Sequence, residues 1–552
     1  MRLILSEYIR TLKERSELDA ILPDLLLSMQ IIPLNKTQIG PRQHGVDLPA
    51  VGLDPHDGVQ KLFLFALKKG DLGRSDWDSG AQSVRQTIND ILDGYLPLQV
   101  RRQDKKLPKV IVLATTGDLK QEMQLTWAGF SQDIMGRYDV DLRFWSADDL
   151  ASFCEEYLLS EHLFTQEDRR DLRKAIAMAG EVDYSRQHLY RMFERKTGVA
   201  KLAESKSALY KRLMNVRFAS ALYSHWAQDN ENSKDALISS ERALLSTWRV
   251  ALQSSNGKKL AKDQLKVLNL IFEDYINAGQ FFVNRLSPYY QVEDGLAIGV
   301  TDNLELSVSV FEHIGLLASM GLSLIRAREG FKHPDLLSKI AKNLRLVITN
   351  NACAGSPRLD EQVIDINLAF SFLLTAGQVG FAREWLEMLI NRISFAYRSG
   401  IYFPEASIEE AIHKRKQIDL GKEEFQAISW TIPCLIEWCV LLDDASLYKS
   451  AISFASKTPW LCNQRWIPSE EYSTKLFTTS AIHAHTGSSE ILEFPQAMSD
   501  YQLEMARNQE EDVLVEQFRS ANQECCTPNI DFIAHRHFRS MIPIARMRGV
   551  TK

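Results

Sequence analysis

Hydrophobic and polar residues follow different spacings on either side of residue 165. After a helical opening, two β-like runs, Gly45–Leu53 and Lys61–Lys68, flank the segment Asp54-Pro55-His56-Asp57-Gly58. Proline, glycine and short carboxylates fold a chain back tightly, so the two runs are predicted to form a hairpin. Over Ala81–Tyr95, apolar residues fall at Val84, Ile88, Ile91, Leu92 and Tyr95, the stripe of one helix face. Lys109–Ala114 (KVIVLA) is a continuous apolar, β-branched run suited to a buried strand, and Thr115-Thr116-Gly117-Asp118 leads from it into a helix. Val140–Trp145 repeats the strand signal. Ser146-Ala147-Asp148-Asp149 then has the spacing of a capping box opening a helix around Leu150–Leu159. The order helix, hairpin, helix, strand, helix, strand, helix predicts a three-layer α/β domain over residues 1–165.

From residue 166 onward β signals nearly vanish. Ser207–Ala227, Asp235–Gln253, Lys262–Ala278, Leu304–Glu329, Gln362–Ala376 and Val379–Tyr397 carry helical periodicity, with Gly, Pro or Asn-rich breaks between them. The expectation is an irregular all-α array, divided into helical domains at 166–350 and 351–552. Gly377–Tyr397 looks like one helix of a tetratricopeptide-type pair, but no fixed repeat period is legible. The charge-rich stretch Glu161–Asp183 is the connector.

Composition narrows the function. A chain of 552 residues, 45% hydrophobic and 25% charged, is several globular domains rather than a small module or a disordered tail. Lys+Arg number 65 against Asp+Glu 71, which excludes a bulk nucleic-acid wrapper or a polybasic membrane protein. Residues 1–164 hold 19 basic and 24 acidic side chains, so the α/β domain is itself net acidic by five. The seven cysteines include no C-x-x-C pair and read as thiols of a reducing cytosol. Glu7 interrupts the opening apolar segment, which argues against a signal peptide. The longest apolar stretches, Ile314–Ile325 and Ile428–Leu442, are short for a bilayer. A soluble, cytoplasmic protein without membrane contact is expected.

The chemistry is concentrated in Gln43-His44-Gly45-Val46-Asp47 and in Lys61–Asp71. With Asp54 opposite Val59, paired residue numbers sum to 113, so Asp47 falls opposite Ala66 and Lys68 points to the same face. A carboxylate beside a lysine on the neighbouring strand is what metal-assisted phosphodiester hydrolysis uses: the carboxylate holds a hard divalent cation and the ammonium steadies the attacking water or the developing charge. These residues, with the strands at Val110–Ala114 and Leu142–Trp145, resemble the PD-(D/E)xK restriction-endonuclease-like superfamily, especially its Mrr-like and anti-phage defence branches. The resemblance covers about residues 1–165. It implies a restriction-endonuclease-like α/β fold and a DNA endonuclease using Mg²⁺ or Mn²⁺. Asp47 and Glu17 would hold the metal and Lys68 would position the nucleophile. Glu17, in Ser16-Glu17-Leu18-Asp19, matches a Glu that many members contribute from a first helix, although a helix N-terminus favours a carboxylate in any case. Ala66 departs from the family pattern, which wants Glu, Asp or sometimes Gln there. Asp71, past Gly70, reads as a turn carboxylate.

Further candidates surround this centre. Gln82 and Arg85, on the following helix, could approach substrate phosphate, and Arg101, Arg102, Lys105 and Lys106 form a basic run ahead of a strand. The stretch Phe532–Lys552 holds Arg536, Arg539, Arg546, Arg548 and Lys552 with no acid, so it is a candidate contact for nucleic acid or an acidic partner. His483/His485 and His535/His537 have H-x-H spacing without an accompanying metal motif, and read as core or surface histidines. No phosphate-binding glycine loop is present, so an ATPase, helicase or sensor subunit would be a separate partner, and a homo- or hetero-oligomer is expected. Two further readings remain open: a degenerate nuclease-like subunit that binds nucleic acid or scaffolds a defence complex, and a helical scaffold capped by residues 1–165.

Overall fold

The computed structural model describes residues 2–12, 18–34, 44–80, 83–158, 165–179, 184–198, 206–255, 262–298, 300, 302–326, 333–399, 404–405, 408, 411–412, 427–458, 461–469, 476, 487–507, 529–543 and 547. The chain divides into two compact units, Met1–Lys174 and Ala175–Lys552.

The first unit is built on a five-stranded sheet of order β1-β2-β3-β4-β5: β1 (Ile31–Pro33), β2 (Leu48–Leu53), β3 (Gln60–Lys68), β4 (Lys109–Thr115) and β5 (Val140–Trp145). The first three strands are antiparallel, and β4 and β5 run parallel to β3. Turn chemistry sets the hairpin register as expected, from Leu53 opposite Gln60 to Leu48 opposite Phe65. Asp54 Oδ1 accepts the His56 N–H and Asp57 Oδ1 accepts the Val59 N–H, closing the turn from within. The short strand β1 was not foreseen.

Alternation along β3 sends Leu62, Leu64 and Ala66 to one face and Phe63 and Phe65 to the other. The first face is covered by α3 (Arg74–Asp78), α4 (Val84–Asp90, continued by a π-helical turn at Ile91–Tyr95) and α5 (Gln121–Tyr138). All five apolar residues predicted to share a face, Val84, Ile88, Ile91, Leu92 and Tyr95, enter this core. On the second face Phe65 lies against Trp145, which lies against Phe153 of α6 (Ala147–Phe153). Ser146 caps α6 reciprocally with Asp149. Beyond α6 packs α1 (Arg2–Thr11), and α2 (Asp19–Ser28) packs on β1, completing three layers.

The second unit is mainly helical. Following α7 (Gln166–Ala177) come α8 (Tyr184–Thr197), α9 (Lys206–Asp229), α10 (Ser233–Ser255), α11 (Lys262–Tyr290), α12 (Asn303–Arg326), α13 (Pro334–Asn350), α14 (Val363–Thr375) and α15 (Val379–Arg398). Helix α12 is the hub, packing on α13 and α14, on both sides of residue 350. Gly315 permits that approach, because a Cβ there would lie 2.0 Å from Asp365 Oδ1. The apolar window Asn303–Ile325 is longer than the sequence reading allowed and could cross a membrane by length and composition; 78% of it is buried within the protein.

The expectation of an all-α region needs correction. A three-stranded sheet, β6 (Ala427–Ser429), β7 (Leu461–Pro468) and β8 (Gly487–Ile491), lies among α16 (Thr431–Leu441), α17 (Ala445–Ala455) and α18 (Met498–Arg507).

The basic C-terminal stretch is also corrected. Helix α19 (Ile530–His537) packs on α10, α12 and α14, with Phe532, Ile533 and His535 fully buried. Arg536 pairs with the fully buried Glu241, and His537 lies 3.2 Å from the same carboxylate. Arg539 grips Asp365 through two 2.9 Å hydrogen bonds. Arg536 and Arg539 thus pair with interior carboxylates. Burial, only partly opposed by Glu241, pushes the His537 imidazole down to about 4. His535 and His537 are thus core histidines; Arg546, Arg548, Lys552, His483 and His485 lie outside the described residues.

Candidate functional site

In open sheets with parallel strands, ligand sites form at the carboxyl ends of those strands. The antiparallel hairpin delivers Asp47, just before β2, to the end of the sheet where Lys68 closes β3. Tight backbone geometry leads into Asp47. Both His44 (φ 44°) and Gly45 (φ 79°) are left-handed, and a Cβ on Gly45 would meet the Thr87 carbonyl at 2.4 Å.

The register does not run straight through Asp47. Leu48 is in register with Phe65, yet the Asp47 N–H also reaches the Phe65 carbonyl at 2.9 Å, so two residues face one, as at a bulge. Val46 enters the apolar core that holds Ala66, and the Asp47 carboxylate turns to the sheet margin, where Oδ2 accepts the Leu67 N–H at 2.7 Å. Asp47 and Lys68 are both half-buried at this end. Ala66 is fully buried in the apolar core of this face and pairs with Leu113 of β4.

The loops leaving β3 and β4 are laced together beside them. The Gly70 N–H donates to Thr116 Oγ1 (2.9 Å), Thr115 Oγ1 donates to the Gly70 carbonyl (2.6 Å), and the Asp118 N–H donates to Asp71 Oδ1 (2.9 Å). Asp71 is therefore a turn carboxylate, as expected. Gly117 is required, since a Cβ there would lie 2.3 Å from the Gly70 backbone. Arg10 of α1 reaches Asp118 at 2.6 Å and Asp148 at 3.7 Å, and these acids hold its guanidinium pKa above its ordinary value. Sequence reasoning missed this cluster because Arg10 and Asp118 are 108 positions apart.

The other candidates among the described residues do not converge here. Glu17 and Gln82 lie outside the described residues. Arg85 is exposed, 3.6 Å from Asp78 and over the Phe130 ring. The run Arg101, Arg102, Lys105 and Lys106 enters β4 from the opposite end of the sheet: Lys109 pairs with Leu62, six residues or about 20 Å before Lys68. Arg101 donates to the Leu34 carbonyl at 3.0 Å, and the Lys109 ammonium donates to the Lys105 carbonyl at 2.8 Å, so parts of the run hold the loop in place.

At that opposite end lies the strongest electrostatic constellation of the unit. Asp54, fully buried, accepts hydrogen bonds from Lys61 (2.7 Å) and Arg143 (2.6 and 3.1 Å). Arg143 also meets Asp141 at 2.7 Å, and Lys61 meets Asp57 at 2.5 Å. Burial alone would raise the Asp54 pKa; the hydrogen bonds from Arg143 and Lys61 outweigh it and hold the carboxyl well below the usual range.

A hard divalent cation prefers six oxygens, with one or two carboxylates anchoring it. Among the described residues no three His, Cys, Asp or Glu side chains group as metal ligands. The Asp47 carboxylate already has one oxygen on a backbone N–H, and position 66 offers a methyl group inside an apolar core. Of the two expected metal ligands, only Asp47 is among the described residues. Comparison with protein-family models, curated proteins and solved structures returns no match to this chain.

Proposed function

We propose that the α/β unit is a nuclease-like module that does not cut, and that the chain serves as a scaffold component of a larger assembly, in the restriction or anti-phage setting that the resemblance implies. The observation that carries this reading is Ala66, fully buried at the position where the family pattern wants a metal-binding acid. Replacing it with a carboxylate would bury a charge in the apolar core that holds Ala66, at a cost of several kcal/mol.

The dispersal of basic candidates favours a protein partner over DNA. The Arg101–Lys106 run lies at the far end of the sheet, Arg85 faces Asp78, and Arg536 and Arg539 are committed to interior acids. A chain that tracked a phosphate backbone would align such cations along one face.

The competing reading, an Mg²⁺- or Mn²⁺-dependent endonuclease, draws support from the delivery of Asp47 and Lys68 to one end of the sheet. Calorimetric titration of the full chain with Mn²⁺, beside a plasmid-nicking assay with Asp47→Ala and Lys68→Ala controls, separates the two. The scaffold reading expects no saturable heat at millimolar metal and no nicking above buffer. Nicking by the wild type that both substitutions abolish would overturn it.

A further inference from the structure

Helix α13 has two working faces. Leu336, Ile340, Leu344 and Val347 are buried against the rest of the second unit. A second stripe, running from Pro334 to Thr349, borders an open groove of about 1000 Å³, whose other wall is Ile325 at the end of α12 and Thr375–Gln378 beyond α14. Half-buried Leu337, Ala341 and Leu346 supply the apolar floor.

Three properties define what fits. The stripe spans fifteen helical steps, about 22 Å, which is long for a compact small molecule and matches roughly four turns of helix. Its lining recurs with the spacing of one helix face, so an occupant lying along it meets ridges at helical intervals. Its described charged residues are Lys342 and Arg345, with no acid among them. The Arg345 guanidinium is held in position, donating to Gln378 Oε1 at 3.1 Å and lying 4.9 Å from the Phe381 ring centre.

We infer that this groove docks an amphipathic, acidic helix of a partner protein, its apolar side on Leu337, Ala341 and Leu346 and its carboxylates facing Lys342 and Arg345. Charge selects the occupant: Lys342 and Arg345 complement an acidic helix and repel a cationic one. The inference is independent of how the α/β unit is read, since cutting and non-cutting chains could equally recruit a partner through the helical unit.

The test uses the full chain and two labelled probe peptides of about 16 residues, each a leucine-striped amphipathic helix, one with glutamate and the other with lysine at every charged position. Fluorescence anisotropy is expected to show 1:1 binding of the acidic peptide, roughly tenfold or more tighter than the basic one and weakened by high salt. Lys342→Glu combined with Arg345→Glu should abolish that preference. Ser338→Trp, at an exposed groove position, should weaken the acidic peptide while leaving the circular-dichroism melt unchanged. Equal binding of both peptides, no binding of either at millimolar concentration, or a preference that survives the double charge reversal would overturn the inference. So would a concentration-dependent dimer that Ser338→Trp dissociates, because the groove would then be an interface between copies.

Discussion

One hairpin carries a carboxylate at each end, and the two have opposite fates. Asp54, at the turn, is sealed from solvent and shared between Lys61 and Arg143. Asp47, at the open end, is half-exposed, and its Oδ2 accepts the Leu67 N–H. The difference lies in the neighbours: β5 brings Arg143 to the Asp54 end, whereas Val46 and Ala66 fill the space beside Asp47 with apolar volume. At the Asp54 end a buried carboxylate is shared by two cations, from β3 and β5, whereas at the Asp47 end Arg10 pairs with Asp118 and Asp148, tying α1 to the loop after β4 and to the start of α6.

The contrast breaks most visibly at Asp54. Replacing it with alanine leaves Lys61 and Arg143 without their shared partner, an expected loss of about 3–5 kcal/mol measured by chemical denaturation. A loss below about 1 kcal/mol would show that Asp57 and Asp141 suffice alone.

The pH dependence sharpens the same point. Folding depresses the Asp54 pKa, so its stabilisation is complete above about pH 5, where the unfolded carboxyl is also ionised. It is lost as pH falls through the ordinary carboxyl range near 4 toward the lower folded value. Denaturation midpoints should therefore decline on acidification below about pH 5, and Asp54→Asn should flatten that decline.

The smallest effect belongs to Asp47. Asp47→Ala removes the acceptor for the Leu67 N–H at the sheet margin and should cost about 1 kcal/mol. Asp47→Asn keeps an acceptor and should fall within about 0.5 kcal/mol of the wild type by thermal melting. A cost at Asp47 as large as that at Asp54 would erase the distinction.

What the sequence made legible was local. The hairpin register followed from Asp54-Pro55-His56-Asp57-Gly58, and the α4 face from the spacing of Val84 through Tyr95, because neighbours in sequence dictate both. The α6 cap was likewise written in Ser146 and Asp149. Distant partners were not legible. Asp54 looked like turn chemistry because Arg143 lies 89 positions away. The β6–β8 sheet was missed because β6 has three residues and pairs in parallel with a strand more than thirty positions later. Arg536 and Arg539 read as part of a basic contact stretch for nucleic acid or an acidic partner because Glu241 and Asp365 sit 295 and 174 positions upstream. At the candidate site the hairpin register already brings Asp47 and Lys68 to one end of the sheet, but the extra residue at the start of β2 and the entry of Val46 into the core that holds Ala66 needed tertiary structure to be seen.

The separation between Glu241 and Arg536 has a consequence for synthesis. A ribosome adding about 5–20 residues per second makes the arginine roughly 15–60 s after the glutamate. Throughout that interval Glu241 has neither Arg536 nor His537 beside it, and once residue 375 has been added α10, α12 and α14 are all present without the helix that packs on them. The first unit, with its sheet contained in residues 31–145, can finish folding long before. Nascent chains stalled between residues 400 and 529 thus carry a complete α/β sheet ahead of a helical unit that still lacks α19.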